Sequence, residues 1–364
     1  MGPLSYLGID RLTLIPERYW AHHEFCFYLH DRLIDAASQY EASGSHLVVE
    51  DAVRDLADKH SADIGEVDLF ELLKNDDLKP LYKHHIISHT VLALLGDMHQ
   101  FLFSSLEAFE ARRFSVGFSL LRKVFKEHLV FLCWILYDDE DFIACFEGDV
   151  YKTLNHLSKE KRMEVFSGAI ASIELSEMFD SGIIWSYVFD KNFDAGFEPI
   201  WQMAMHLVTS QGIIKTTNYS LNFAFEDRGD DFYYEILYRK MPYLLVFLVQ
   251  ISMRSLAKTC TMDENVLGRV IISTIGTYEA LYIKGRSHVA HLLRNFFGQF
   301  LYCMYCGKKI RLTKKKRPRL LVSQMIECQA CHIDNQFPLE WLLAKANIVV
   351  KGNGEIAKSP KQEW

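Results

Sequence analysis

Four cysteines near the C-terminal end stand as two Cys-x-x-Cys pairs, Cys303 with Cys306 and Cys328 with Cys331, separated by 21 residues. Thiolates are soft ligands, and four of them complete a tetrahedral shell around Zn²⁺, each pair supplying two from one tight knuckle. Gly307, directly after Cys306, suits such a turn because its backbone reaches positive φ at little cost. A filled shell leaves no position for a substrate, so the expected cofactor is one structural Zn²⁺ per chain. A redox role fits less well, because no βαβ pattern surrounds the pairs. His332 follows Cys331 and is a weaker competing donor. The other cysteines, Cys26, Cys133, Cys145 and Cys260, lie among apolar neighbours and read as small buried hydrophobes.

Between the knuckles, KIRLT and RLLVSQMIE read as the two strands of a hairpin, giving a small β zinc ribbon. Metal binding of roughly 10–16 kcal/mol would fold so small a unit. The hairpin tip carries Lys314, Lys315, Lys316, Arg317 and Arg319, led in by Lys308, Lys309 and Arg311. In a chain of net charge −7 this run is a concentrated positive patch. It fits phosphate contact that is salt-dependent and blind to sequence. It equally fits a solvated turn whose lysines keep strand edges apart.

A second element precedes the knuckles. In GRSHVAHLLRNFF, Arg286 and His291 are five apart and follow Gly285. Val289, Leu292, Phe296 and Phe300 mark an apolar stripe, widened by Leu293 and Phe297. His291 lies about 200° round the helix from Val289, on the polar side with Arg294 and Asn295. Residues five apart on an ideal helix diverge by about 140°, so Arg286 and His291 share one substrate only if the helix starts between them or a second copy completes the site.

This Arg-x4-His element, near the end of a long helical region, resembles the HEPN family of helical bundles, which includes many metal-independent ribonucleases. The hairpin LEAFEARRFSVGFSLLRKVFKEHLVFL is similar to the family's second and third helices. The polar position after Arg is Ser287 here, where the family has Asn, Asp or His. The resemblance implies a homodimer with RNA as substrate, a toxin or antiviral role, and an antitoxin or sensor protein as partner. It implies His291 as general acid or base and Arg286 as the fork that holds the scissile phosphate. His288 is a second candidate proton carrier, with a surface histidine at a helix start as its plainer reading. Short motifs recur by chance. Three other Arg–His pairs have similar spacing: Arg18 with His23, Arg54 with His60, and Arg122 with His128. Of the four, only Arg286 and His291 open the last helix.

The elements that position these residues follow from periodicity. The chain has 364 residues, 49% hydrophobic and 24% charged, a globular composition. Apolar spacing is helical almost throughout up to about residue 300. The main feature is an antiparallel pair, His85 to Ala111 and Ser115 to Tyr137, joined by RRFS. Residues 1–80 read as an N-terminal helical extension and 81–300 as the HEPN-like bundle with insertions. Residues 301–340 read as the ribbon and 341–364 as a flexible tail. The fold class is therefore all-α with a small C-terminal β zinc ribbon.

HHIISH places His85 and His89 at i, i+4, where they could chelate a metal. No His-Glu-x-x-His pattern accompanies them, so core or surface histidines are the reading preferred from sequence. The apolar runs near residues 130 and 248 are about ten residues long, short of the roughly 20 that span a bilayer. No secretory pattern opens the chain, and the expectation is a cytoplasmic protein without a membrane. Three readings of function are expected, led by a metal-independent endoribonuclease and followed by a non-catalytic helical scaffold that binds nucleic acid or a protein through the ribbon. A third is a structural dimer with Arg286 and His291 in interface ion pairs.

Overall fold

The structure is a computed structural model that describes residues 2–52, 78–148, 157–210, 215, 216, 218, 221, 222, 230–285, 288–346, 348–350 and 356–358. The expected helices between residues 53 and 77, including Arg54 and His60, lie outside the described residues.

The fold is mostly helical. Its main elements are α1 (Trp20–Ala42), α2 (Lys79–Glu110), α3 (Phe114–Lys123), α4 (Leu129–Tyr137), α5 (Asp139–Glu147), α6 (Lys159–Ala171), α7 (Ser181–Phe189), α8 (Glu198–Met205), α9 (Asp230–Leu256), α10 (Glu264–Tyr282) and α11 (His288–Phe297). After the first knuckle come α12 (Arg317–Ser323), β1 (Met325–Glu327), β2 (Asp334–Gln336), α13 (Leu339–Ala346), β3 (Ile348–Val350) and β4 (Ile356–Lys358).

The antiparallel pair stands where its apolar period places it. The chain reverses through Arg112 in the left-handed region, φ 58°. The two helices then cross closely at Gly117, where an added Cβ would sit 2.8 Å from the Phe109 ring. Ser105 donates to the Gly117 carbonyl at 2.8 Å across the same contact. Between α3 and α4 the chain widens to a π turn, Val124–His128. The turn carries His128 inward, where Asp97 meets its Nε2 at 2.8 Å.

The expected N-terminal extension is part of the bundle instead. Phe25, Tyr28 and Leu29 of α1 belong to the same buried cluster as Val91 and Leu95 of α2 and Leu237, Leu244 and Phe247 of α9. The expected separation at residue 300 is corrected likewise, since Leu301, Ile310, Leu320, Leu321, Ile326 and Leu339 are in that cluster too. These contacts join residues far apart in sequence, which periodicity does not report.

Helix α10 is the seat for the C-terminal part. At Gly276 an added Cβ would meet Val289 Cγ1 of α11 at 2.6 Å and Leu321 Cδ1 of α12 at 3.0 Å. At Gly268 it would meet the Ile348 carbonyl of β3 at 2.7 Å. The segment read as a flexible tail therefore contains a helix and a two-stranded sheet, with Leu343 and Ile348 buried.

Two helices, Lys79–Glu110 and Asp231–Leu256, are long and apolar enough to cross a bilayer by length and composition. The most apolar window of the second is 83% buried inside the protein and that of the first 39%. The second of these helices contains the apolar run near residue 248, continued by flanking residues of middling hydropathy, whereas the run near residue 130 lies in α4 and Lys79–Glu110 holds neither run.

Gly276→Val should lower the stability of the chain by about 1–3 kcal/mol, because Val289 and Leu321 are themselves packed and cannot both withdraw. Urea unfolding of the two proteins measures the difference, and an unchanged midpoint would refute the close-contact account.

Candidate metal centre and C-terminal face

The two knuckles are built alike. In the first, the Cys303 N–H donates to the Lys308 carbonyl at 2.9 Å and the Gly307 N–H donates back to the Cys303 carbonyl at 2.9 Å. In the second, the Cys328 N–H donates to Ile333 and the His332 N–H to Cys328, each at 3.0 Å. Gly307, φ 69°, and His332, φ 59°, hold equivalent left-handed positions. His332 therefore serves the turn, where Gly307 stands in the other half. Its ring is exposed and its Nδ1 lies 2.9 Å from Glu327 Oε1, so it is not gathered among the sulfurs.

The four sulfurs lie within 4.8 Å of one another. Cys303 and Cys331 are 3.5 Å apart, and Cys306 and Cys328 are 3.7 Å apart. A tetrahedral ion with metal–sulfur bonds of about 2.3 Å needs sulfurs about 3.8 Å apart, so the thiols fit a metal ion with little rearrangement. Burial resists ionisation of the Cys303 thiol, but backbone N–H groups of Cys306 and Tyr305 hold it down to about 6. Cys328 is lowered by the N–H groups of Ala330 and Cys331. Asn335 ties the knuckles together: it is buried, its Oδ1 accepts from the Met304 N–H at 2.8 Å, and its Nδ2 donates to Ile333 at 2.9 Å.

The expected hairpin between the knuckles is corrected. Each knuckle is closed by its own strand contact, Tyr302 with Lys309 in the first and β1 with β2 in the second. The run RPRLLVS forms α12, with Pro318 in its first turn. Leu320 and Leu321 are buried, and Leu321 packs against α10 at Gly276, which a strand edge in solvent would not allow.

The basic run is consequently a turn into a helix, and much of it is engaged by the protein. Lys314 donates to the Ile283 carbonyl at the end of α10. Lys316 donates to the Glu327 carbonyl at 2.6 Å. Arg317 is buried, and Glu279 of α10 offsets the desolvation that lowers its pKa. Arg319 forks onto Asp334 at 2.6 and 2.7 Å and reaches Ser5 Oγ at 3.0 Å. Lys315 is exposed. Lys315, Lys316 and Arg319 border a cleft of about 380 Å³ whose opposite wall is Gly2, Pro3, Leu4 and Ser5.

Of the Arg-x4-His element, Arg286 lies outside the described residues, as does the side chain of His288. His291 is exposed on α11, with Asn295 Nδ2 at 2.8 Å from its Nε2. Val289, Leu293 and Phe297 form the buried stripe, whereas Phe300, expected on it, is 58% exposed because the helix has ended. Of the rival pairs, Arg18 and His23 are engaged apart from one another. Arg18 meets Asp231 at the surface, 2.8 Å away, while His23 is fully buried between Tyr238 and Glu110. His128 is buried against Asp97.

What the sequence reading missed is the surface of the first knuckle. Phe300 at 58%, Tyr302 at 53%, Met304 at 72% and Tyr305 at 64% are large apolar side chains left open to solvent. Lys308, Lys309 and Arg311 are exposed beside them in the chain. The available signal was the interleaving of aromatics with cysteines and lysines in FLYCMYCGKK. Of the scattered cysteines, Cys26 and Cys133 are buried, and desolvation raises both thiols, while Cys145 and Cys260 are half-buried.

Comparison with known proteins gives no further lead: no family model, no curated protein and no solved structure matches the chain.

His332→Gly should keep the full metal content and raise stability by up to about 1 kcal/mol, since a left-handed residue with a Cβ is strained by roughly 1–2 kcal/mol and glycine returns part of that as chain entropy. Metal analysis with thermal unfolding tests this, and loss of metal would make His332 a ligand.

Proposed function

We propose that the protein binds single-stranded RNA on its C-terminal face, with Zn²⁺ in the four-thiolate site holding that face in shape. The observation that carries this reading is the set of exposed aromatics around the first knuckle, next to exposed lysines. Soluble proteins seldom leave several large apolar side chains open together without a use for them. Unpaired bases stack on such rings for about 1–3 kcal/mol each, while lysines follow the phosphates. The net charge of −7 keeps the attraction local to this face. Zn²⁺ is the ion best suited to four thiolates in a closed tetrahedral shell.

Two measurements test the reading. Freshly purified protein should contain one Zn²⁺ per chain at this site, and Cys306→Ser should lose it. Binding to an oligouridine RNA, followed by fluorescence anisotropy, should weaken about tenfold for Tyr305→Ala, roughly the worth of one stacked base. Lys308→Ala with Lys309→Ala should lower the salt slope by about 0.7 per lost phosphate contact. An affinity untouched by the tyrosine change would leave the scaffold without this ligand.

The metal-independent endoribonuclease is the second reading, favoured by one specific observation. The basic turn is fastened to the end of α10 through Lys314 and Ile283, close in sequence to Gly285 and to α11 with its exposed His291. RNA drawn to that turn would pass near a solvent-accessible imidazole. The homodimer and the toxin or antiviral role belong to this reading, through the HEPN resemblance. His291→Ala should lose about 10²–10⁴-fold in cleavage rate while still binding RNA. The products should carry 2′,3′-cyclic phosphates. RNA bound but not cut by the unaltered chain would leave the binding reading alone standing.

A further inference from the structure

Three histidines meet where a short turn lies against the beginning of α2. His46 sits in the turn Ser45–Leu47, which His84 pins by a 2.7 Å contact from its Nε2 to the Ser45 carbonyl. His85 and His89 are one helical turn apart on α2, their ring centroids separated by 4.3 Å. The His46 and His89 rings are 6.1 Å apart and nearly perpendicular. Two ring nitrogens in this group, His46 Nδ1 and His89 Nε2, are buried without a hydrogen-bond partner among the described residues. Buried polar atoms in native proteins are almost always satisfied, so such a pair calls for an occupant.

We propose that His46, His85 and His89 form a second metal site, taking a divalent transition ion that favours imidazole, Zn²⁺ first among them. Two imidazoles on one tetrahedral ion, with metal–nitrogen bonds of about 2.0–2.1 Å, place their ring centroids about 5 Å apart. The observed 4.3 and 6.1 Å bracket that value. Among the described residues only the four cysteines have their ligand atoms within 4.8 Å of one another, so the three imidazoles must turn to bring their nitrogens onto a shared ion. Three nitrogens leave a fourth position for water or a carboxylate, which distinguishes this site from the closed thiolate one.

The test uses the full chain with its thiolate site already loaded with zinc. Calorimetric titration with Zn²⁺ should show a further equivalent bound. His46→Ala and His89→Ala should each weaken that equivalent at least about tenfold, as much as even outer-sphere partners contribute elsewhere. Cys306→Ser should leave it in place. If the alanine variants do not fold, Cu²⁺ added to the unaltered zinc-loaded chain decides, because its electron paramagnetic resonance spectrum counts nitrogen ligands. No second equivalent, a second equivalent indifferent to both alanine changes, or a copper spectrum without imidazole nitrogen would each overturn the proposal.

Discussion

The C-terminal half of this protein depends on how close other elements can come to α10. Gly268 and Gly276 are two turns of helix apart and leave that helix without side chains at two places. One admits the backbone of β3, and the other admits Val289 and Leu321 together. Without those openings α11, α12 and the last sheet would stand off by roughly the width of a methyl group, and close packing does not tolerate that gap. The knuckles have no core of their own to offset such a loss. They borrow one from α10, which is why a unit that reads as separable in sequence shares a continuous interior with the bundle.

That arrangement explains why the metal site can be so small. In a free ribbon the ion must organise the whole fold, but here Leu301, Ile310 and Ile326 are already anchored next to the cysteines they flank. An ion bound by the four thiols would have only to close two turns whose backbone hydrogen bonds are in place. The side chains between the ligands are then released from packing duty. Tyr302, Met304 and Tyr305 point outward from a turn that cannot yield, and a rigid aromatic surface loses little conformational entropy when it meets a ligand.

The long helices were legible in the sequence because a 3.6-residue apolar period sustained over twenty residues leaves little choice. The four thiols were legible because their spacing is that of a chemical object. RPRLLVS was misread for the opposite reason: a short apolar run does not distinguish a strand from a buried helix. Pro318 was the available clue, since proline is at home in the first turn of a helix. The left-handed backbone of His332 was hidden because a histidine there breaks the local preference that Gly307 obeys. The place of α1 in the core, and the meeting of His46 with His89, rest on contacts between distant segments, which no local pattern records. Arg286 remains a reading from sequence.

The first residues of the chain make one more such contact. Glu24, fully buried on α1, accepts the backbone N–H groups of Leu4, Tyr6 and Leu7. Ser323, on α12, donates to the Leu4 carbonyl at 2.6 Å. Leu4 is thus fastened to a residue 319 positions further along the chain. Until α12 has been synthesised, the Leu4 carbonyl lacks its Ser323 partner. Assembly of this contact must therefore wait for α12, and a chain that stalls before Ser323 leaves the segment held by Glu24 without its partner on α12.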